Sequence, residues 1–166
     1  MRQILSNDRA RVTAQCLCGD VRIEIDYPAF WAWHDHSQSS RLAHGAAYAT
    51  YVGCWRKRFR IVQGTTRIAR YEDRDTGATR AFCKRCGTPL YYQRKRRPQM
   101  VNIPRALFQS RTGRHPFYHA HITELQDWAY VGGPLVPLKG YPGIVWERPR
   151  RRRKKMSDER EEIGKW

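Results

Sequence analysis

Phe82-Cys83-Lys84-Arg85-Cys86-Gly87-Thr88-Pro89-Leu90, read together with Cys16-Leu17-Cys18-Gly19, decides the fold. Four of the five cysteines fall into these two close pairs, one C-x-C and one C-x-x-C, each followed by glycine. Two thiolates on one tight turn can face a single ion, and a following glycine lets the backbone turn with positive φ. Two such knuckles brought together make a tetrahedral four-cysteine site, the usual surroundings of structural zinc. The spacing therefore predicts Cys16, Cys18, Cys83 and Cys86 as zinc ligands, in preference to two disulfides or four unrelated buried thiols.

Outward from the knuckles, the chain reads as many short strands. Residues 12–18 and 21–27 flank the first knuckle as a hairpin, with Val21, Ile23 and Ile25 alternating against Arg22, Glu24 and Asp26. That period of two marks a half-buried strand. Residues 46–53, 59–63, 67–73, 78–83 and 89–94 follow the same pattern, and 100–103 and 118–122 are further strand candidates. Asp75-Thr76-Gly77 is a turn signal that joins two of them as a hairpin. Only 37–44 and 104–109 read as short helical turns. The prolines and glycines after Gly132 predict a loop or extended arm lying on the body. The expectation is an all-β domain of antiparallel sheets spanning 12–147, with an extension at 1–11.

The chain has 166 residues and a formal charge of +17, from 32 Lys/Arg and 15 Asp/Glu. Residues 148–166 hold nine basic and four acidic side chains and supply +5, so 1–147 supply +12. Such a field attracts anions without choosing among nucleic acid, acidic surfaces and small carboxylates. The tail is poor in apolar residues and is expected to be disordered. A solvated terminus is preferred to a nucleic-acid arm through 148–155, and residues 56–58 and 94–97 read as exposed loop charges. Residues 1–11 have no apolar core of a secretory signal, and no stretch has the apolar length of a membrane span. A cytoplasmic protein without membrane contact is expected, and reducing conditions favour thiolate–metal over disulfide.

The order of these pieces resembles the glutathione-dependent formaldehyde-activating family. C-x-C-G-x-V near the start, an Ala-Tyr-Ala-Thr-Tyr strand, and Phe82 through Leu90 carry the likeness over roughly 12–128. The resemblance implies a tent-like fold of packed antiparallel sheets, with the four cysteines around its structural zinc. It also implies carbon–sulfur lyase-type chemistry, the reversible condensation of formaldehyde with glutathione, at a second zinc bound by C-x-C-x-x-C. The matching stretch of this chain is Trp33-His34-Asp35-His36-Ser37-Gln38-Ser39-Ser40-Arg41, so the cysteine ligands are replaced.

His34 and His36, two apart in an extended segment, point to one face and can meet one ion or move protons. His44 or a water would supply a third ligand, and Asp35 an outer partner. Against this stands the reading of polar pocket residues hydrogen-bonded to backbone or anions. Arg41 and Arg56 are the expected clamps for glutathione carboxylates. A catalytically degenerate, zinc-stabilised binding module for an anionic partner is the alternative to the enzyme. Cys54 reads as a small buried hydrophobe, His115, His119 and His121 as satisfied surface histidines, and Trp31, Trp33, Tyr48 and Tyr51 as core.

Overall fold

The computed structural model describes residues 10–129, 131 and 134–147. The expected basic tail at 148–166 and nearly all of the 1–11 extension lie outside the described residues. The strands are β1 (Arg11–Gln15), β2 (Arg22–Asp26), β3 (Trp31–Asp35), β4 (Ala49–Trp55), β5 (Phe59–Gln63) and β6 (Ile68–Asp73). They continue as β7 (Ala78–Cys83), β8 (Pro89–Arg94), β9 (Met100–Pro104), β10 (Tyr118–Ala120), β11 (Leu135–Pro137) and β12 (Val145–Glu147). One α-helix, α1 (Gln38–His44), lies between β3 and β4. The fold is all-β, as the alternation predicts.

Two sheets share the strands. β1, β2 and β5 form the small one. The large sheet runs β11-β12-β10-β3-β4-β9-β8-β7-β6. Every described pair is antiparallel except β10 with β3, which places Tyr118, His119 and Ala120 beside Trp33, His34 and Asp35.

Alternation along these strands builds the core between the sheets. Val12, Ala14, Ile23, Ile25 and Phe59 of the small sheet meet Ala32, Val52, Cys54, Leu90, Val101 and Ile103 of the large one. Each fully buried Val, Leu or Ile contributes about 1.5–3 kcal/mol. Several members are alanines, which contribute less, so a metal cross-link would add a large share of the stability. On the opposite face of the large sheet, Trp33, Ala49, Tyr51, Ala78 and Tyr92 form a second cluster. The same alternation therefore sends His34 toward the core face, with Ala32, and Asp35 outward, with Trp33.

Four local expectations shift. Residues 31–35 are a paired strand, because β4 and β10 flank them on both sides. β4 begins at Ala49 rather than 46, because Gly45 caps α1 in the left-handed conformation and the chain turns before extending. The strand expected at 118–122 stops at Ala120, since His121 adopts φ 55° and opens a 3-10 turn. The arm after Gly132 is more regular than its prolines suggest: Tyr141-Pro142-Gly143 lets β11 and β12 pair antiparallel, and β12 then extends the sheet beyond β10.

Candidate functional site

The cysteine knuckles close on each other. Cys16 and Cys18 stand on the turn after β1, Cys83 ends β7, and Cys86 lies on the turn before β8. The four sulfurs all lie within 4.8 Å of one another. Cys16 and Cys18 Sγ are 3.5 Å apart, and Cys18 and Cys83 Sγ 3.8 Å. A tetrahedral ion with Zn–S bonds of about 2.3 Å spaces its sulfurs about 3.8 Å apart. The described cysteines form no disulfide. Gly19 and Gly87 both take positive φ, 78° and 71°, as the turns require. Thr88 hydrogen-bonds Cys86 Sγ and draws its thiol down to about 5. At Cys18 the Asp20 backbone lowers the pKa, but burial and the neighbouring thiols outweigh it and push the value up to about 12. The Cys86 thiolate thus helps hold Cys18 protonated unless a cation joins them.

A second cluster forms at the same end of the large sheet, on its core face. His34 and His119 are register partners on β3 and β10, and their rings lie 4.7 Å apart. His36 Nε2 meets His119 Nδ1 at 2.8 Å, and the two rings stack. His34 Nδ1 bonds Thr50 Oγ1 at 2.9 Å, and Tyr48 stands against both His34 and His36. His36 and His119 are buried, yet His36 Nδ1 and His119 Nε2 have no hydrogen-bond partner. Burial first, and then the neighbouring histidines, push all three imidazoles down to about 4. They are neutral at neutral pH; of the two orphan nitrogens, the one on the ring that donates in the His36–His119 bond keeps a lone pair and the other carries a hydrogen. His119 therefore differs from its expected surface role. It lies inside the strand expected at 118–122, but the parallel pairing that buries it is not local in sequence.

The other predicted side chains turn elsewhere. Asp35, buried on the outer face, accepts from His121 Nδ1 and from the Ser37 N–H, both at 3.0 Å. His44 bonds the Tyr51 hydroxyl at 2.9 Å, away from His34 and His36. Arg41 donates to the carbonyls of His36 and Glu124, holding β3 against the closing segment. Arg56 lies at the far end of the sheet over the Phe59 ring. Cys54 is buried in the core, and burial pushes its thiol up to about 12.

A cleft of about 940 Å³ crosses the outer face between α1 and strands β6–β8. Ser39, Tyr51, Asp73, Arg80, Tyr92 and Arg94 are among its lining residues. Arg80 donates to Ser39 Oγ at 2.5 Å and lies over the Tyr92 ring, while Ser39 donates to Asp73 at 2.8 Å. Sequence reading missed Arg80; a cation inside the Ala78–Cys83 alternation was its only signal.

The family model described as glutathione-dependent formaldehyde-activating enzyme matches residues 11–124. The chain belongs to this family. No curated protein matches it. A crystal structure of a Rhodobacter sphaeroides protein is similar over 59% of this chain and 88% of its own, with a TM-score of 0.50 and 21% identity. At that identity the likeness bears on the fold alone.

Membership in the formaldehyde-activating family gives the two clusters their context. The matched span contains both the four cysteines and the histidine segment. The positions matching the family's C-x-C-x-x-C are divided in this member: His34 and His36 face His119, whereas Ser39 faces Asp73 and Arg80. Among the described residues only the cysteines gather three or more ligand atoms within 4.8 Å.

Proposed function

We propose that this member of the family is a zinc protein with carbon–sulfur lyase chemistry on a thiol adduct of the glutathione–formaldehyde type. The observation that carries the reading is the group of three neutral imidazoles, half-buried His34 and buried His36 in the segment where the family has its second metal and buried His119 beside them. Cys16, Cys18, Cys83 and Cys86 hold the structural zinc. A second metal would be held by His34, His36 and His119 through ring nitrogens, once it displaced the proton shared by His36 and His119. Bound there, it would polarise an oxygen or lower a thiol pKa.

In the condensing direction the thiol sulfur bonds to the formaldehyde carbon, and a proton must reach the former carbonyl oxygen. His36 and His119, hydrogen-bonded and uncharged, are arranged to accept and return that proton. Thr50 Oγ1, bonded to Nδ1, would hold the orientation of the His34 ring. Arg41, beside His36, is the clamp for the substrate carboxylates; Arg80 and Arg94 line the cleft on the other face of the sheet, and Arg56 stands at its other end. The protein acts in the cytoplasm on a small thiol.

A second reading is the degenerate binding module. It is supported by Ser39, which turns away from the histidines, and by ring nitrogens not gathered to metal-ligand distance. Metal analysis joined to an exchange assay separates the two. We expect one firmly held zinc per chain, a second chelator-labile equivalent lost in His36→Gln, and formaldehyde–glutathione exchange by NMR above the uncatalysed rate. Metal-loaded protein with no rate enhancement would sink the enzyme in favour of the module.

A further inference from the structure

Two basic runs unused by either cluster meet at the opposite end of the large sheet. β4 ends at Trp55 and runs into the 3-10 turn Arg56–Arg58. β8 ends at Arg94 and runs into Lys95, Arg96 and Arg97. The register Trp55↔Met100 and the bond from Arg56 N–H to Gln99 O, at 2.7 Å, set the two turns side by side. Bonds from Lys95 N–H to Gly77 O and from Arg97 N–H to Arg94 O, both 2.9 Å, fix the shape of the second turn. Arg56, Lys57, Lys95, Arg96 and Arg97 are exposed. Among the described residues, the only ion pair made by these seven cations is Lys95–Glu72, at 3.8 Å with both side chains in solvent. Such a pair neutralises little.

Aromatic surface lies beside this charge. Phe30 is half exposed, and its N–H bonds Gly53 O, which holds it at the same end of the sheet. Its ring packs on Trp55 with centroids 4.8 Å apart. Cations that follow a phosphate backbone, next to an open aromatic ring on which a base can stack, form the recognition pattern for unpaired strands. A duplex keeps its bases stacked on each other and would use the charge alone. An anionic bilayer would likewise leave the rings without a specific role.

We propose that this basic end, built from Arg56–Arg58, residues 94–97 and Phe30, binds single-stranded nucleic acid. The site is independent of the thiol chemistry and of the tail at 148–166. Its test uses the full chain and a fluorescein-labelled thymidine oligonucleotide of about 20 residues, followed by anisotropy across a salt series. Each phosphate contact on a single strand contributes a slope of about −0.7 in log K against log salt. The triple variant Lys57→Glu, Arg96→Glu, Arg97→Glu should bind about 30-fold more weakly at low salt, with the slope reduced by about 2. Phe30→Ala should lose about 10-fold with the slope unchanged. Glutamine at every basic position of 150–155 should change affinity less than about twofold. Should the triple variant fail to fold, Arg96→Glu and Arg97→Glu singly, each expected to weaken binding about threefold, keep the test open. Wild-type affinity in the charge-reversed variants would overturn the proposal. So would loss of binding in the tail variant, equal affinity for duplex, or binding of phosphatidylserine vesicles without binding of the oligonucleotide.

Discussion

The cysteine cluster and the histidine cluster stand at the same end of one sheet, yet they are built by different means. Each pair of thiols lies within four residues of sequence at a turn, so the spacing within a pair is set locally. Only the meeting of the turns after β1 and β7 is a tertiary event. The histidines rest on strand alternation and on one parallel register, β3 with β10. The cysteine sulfurs gather within 4.8 Å of one another, and no histidine group among the described residues does so. The first cluster is organised for an ion that holds two sheets together. The second is organised as imidazoles with spare nitrogens, suited to exchangeable protons or a labile metal.

The largest test of that contrast removes a cysteine. Cys83→Ser should lose the bound zinc and at least about 5 kcal/mol, most of the stability of a domain this size. Metal analysis with a circular-dichroism melt reads both quantities. A folded Cys83→Ser chain melting with the wild type would mean that the core, with its alanines, holds the sheets without the ion.

Acid should act on the histidine cluster first. His34, His36 and His119 titrate at about 4 when folded, against about 6.5 for a free imidazole. The unfolded chain then binds more protons between those values, so stability falls as pH drops from about 6.5 to about 4. A full displacement of one imidazole corresponds to about 3 kcal/mol, and the three are coupled, so the losses do not simply add. A metal on these nitrogens would steepen the slope, because protons compete for the same lone pairs. His121 works in the opposite sense. Asp35 raises its pKa, so its contribution is complete below the unfolded value and is lost as pH rises through the folded one. Denaturant titrations from pH 7 to 4 should show declining stability. A flat profile would remove the basis for treating the imidazoles as neutral.

His119→Phe should cost about 2 kcal/mol, since it keeps the ring volume but strands His36 Nε2 beside an already unpartnered Nδ1. The cysteine-bound zinc should stay in place. Loss of that zinc as well would show that the two clusters are coupled, and the contrast between them would fail.

The difference also explains what could be read before folding. Cys-x-Cys-Gly and Cys-x-x-Cys-Gly state their geometry within five residues, and the alternation of Val21, Ile23 and Ile25 states which face is inside. His34-x-His36 likewise announces a shared face. Its partner does not: His119 becomes the third imidazole only because β10 runs parallel to β3, in a sheet whose other described pairs are antiparallel. Turn residues that normally end structure misled in the same region. Pro142 and Gly143 close the hairpin that brings β12 onto β10. Arg41 shows a further limit. Its charge suggests a ligand clamp, but nothing local in sequence announces that it also donates to the carbonyls of His36 and Glu124.

The smallest effect tests whether the small sheet depends on the cysteine knuckle alone. Its β2 strand ends at Asp26, nearly buried, which receives the Arg60 guanidinium from β5 at 2.5 Å. That bond, against the opposing effect of burial, holds the Asp26 carboxyl below its ordinary value. A depressed carboxyl contributes fully above the unfolded pKa of about 3.9 and is lost as pH falls through the folded value. Arg60 remains partly solvated, so screening limits the pair to at most about 1 kcal/mol. Asp26→Asn should therefore shift the denaturant midpoint slightly at pH 7 and converge with the wild type in acid. It should also leave the zinc content unchanged. A cost of several kcal/mol would place a second anchor at the Asp26 end of β2, away from the cysteine turn. The pair lies within the small sheet, between β2 and β5, so the task of joining the two sheets would stay with the cysteine cluster.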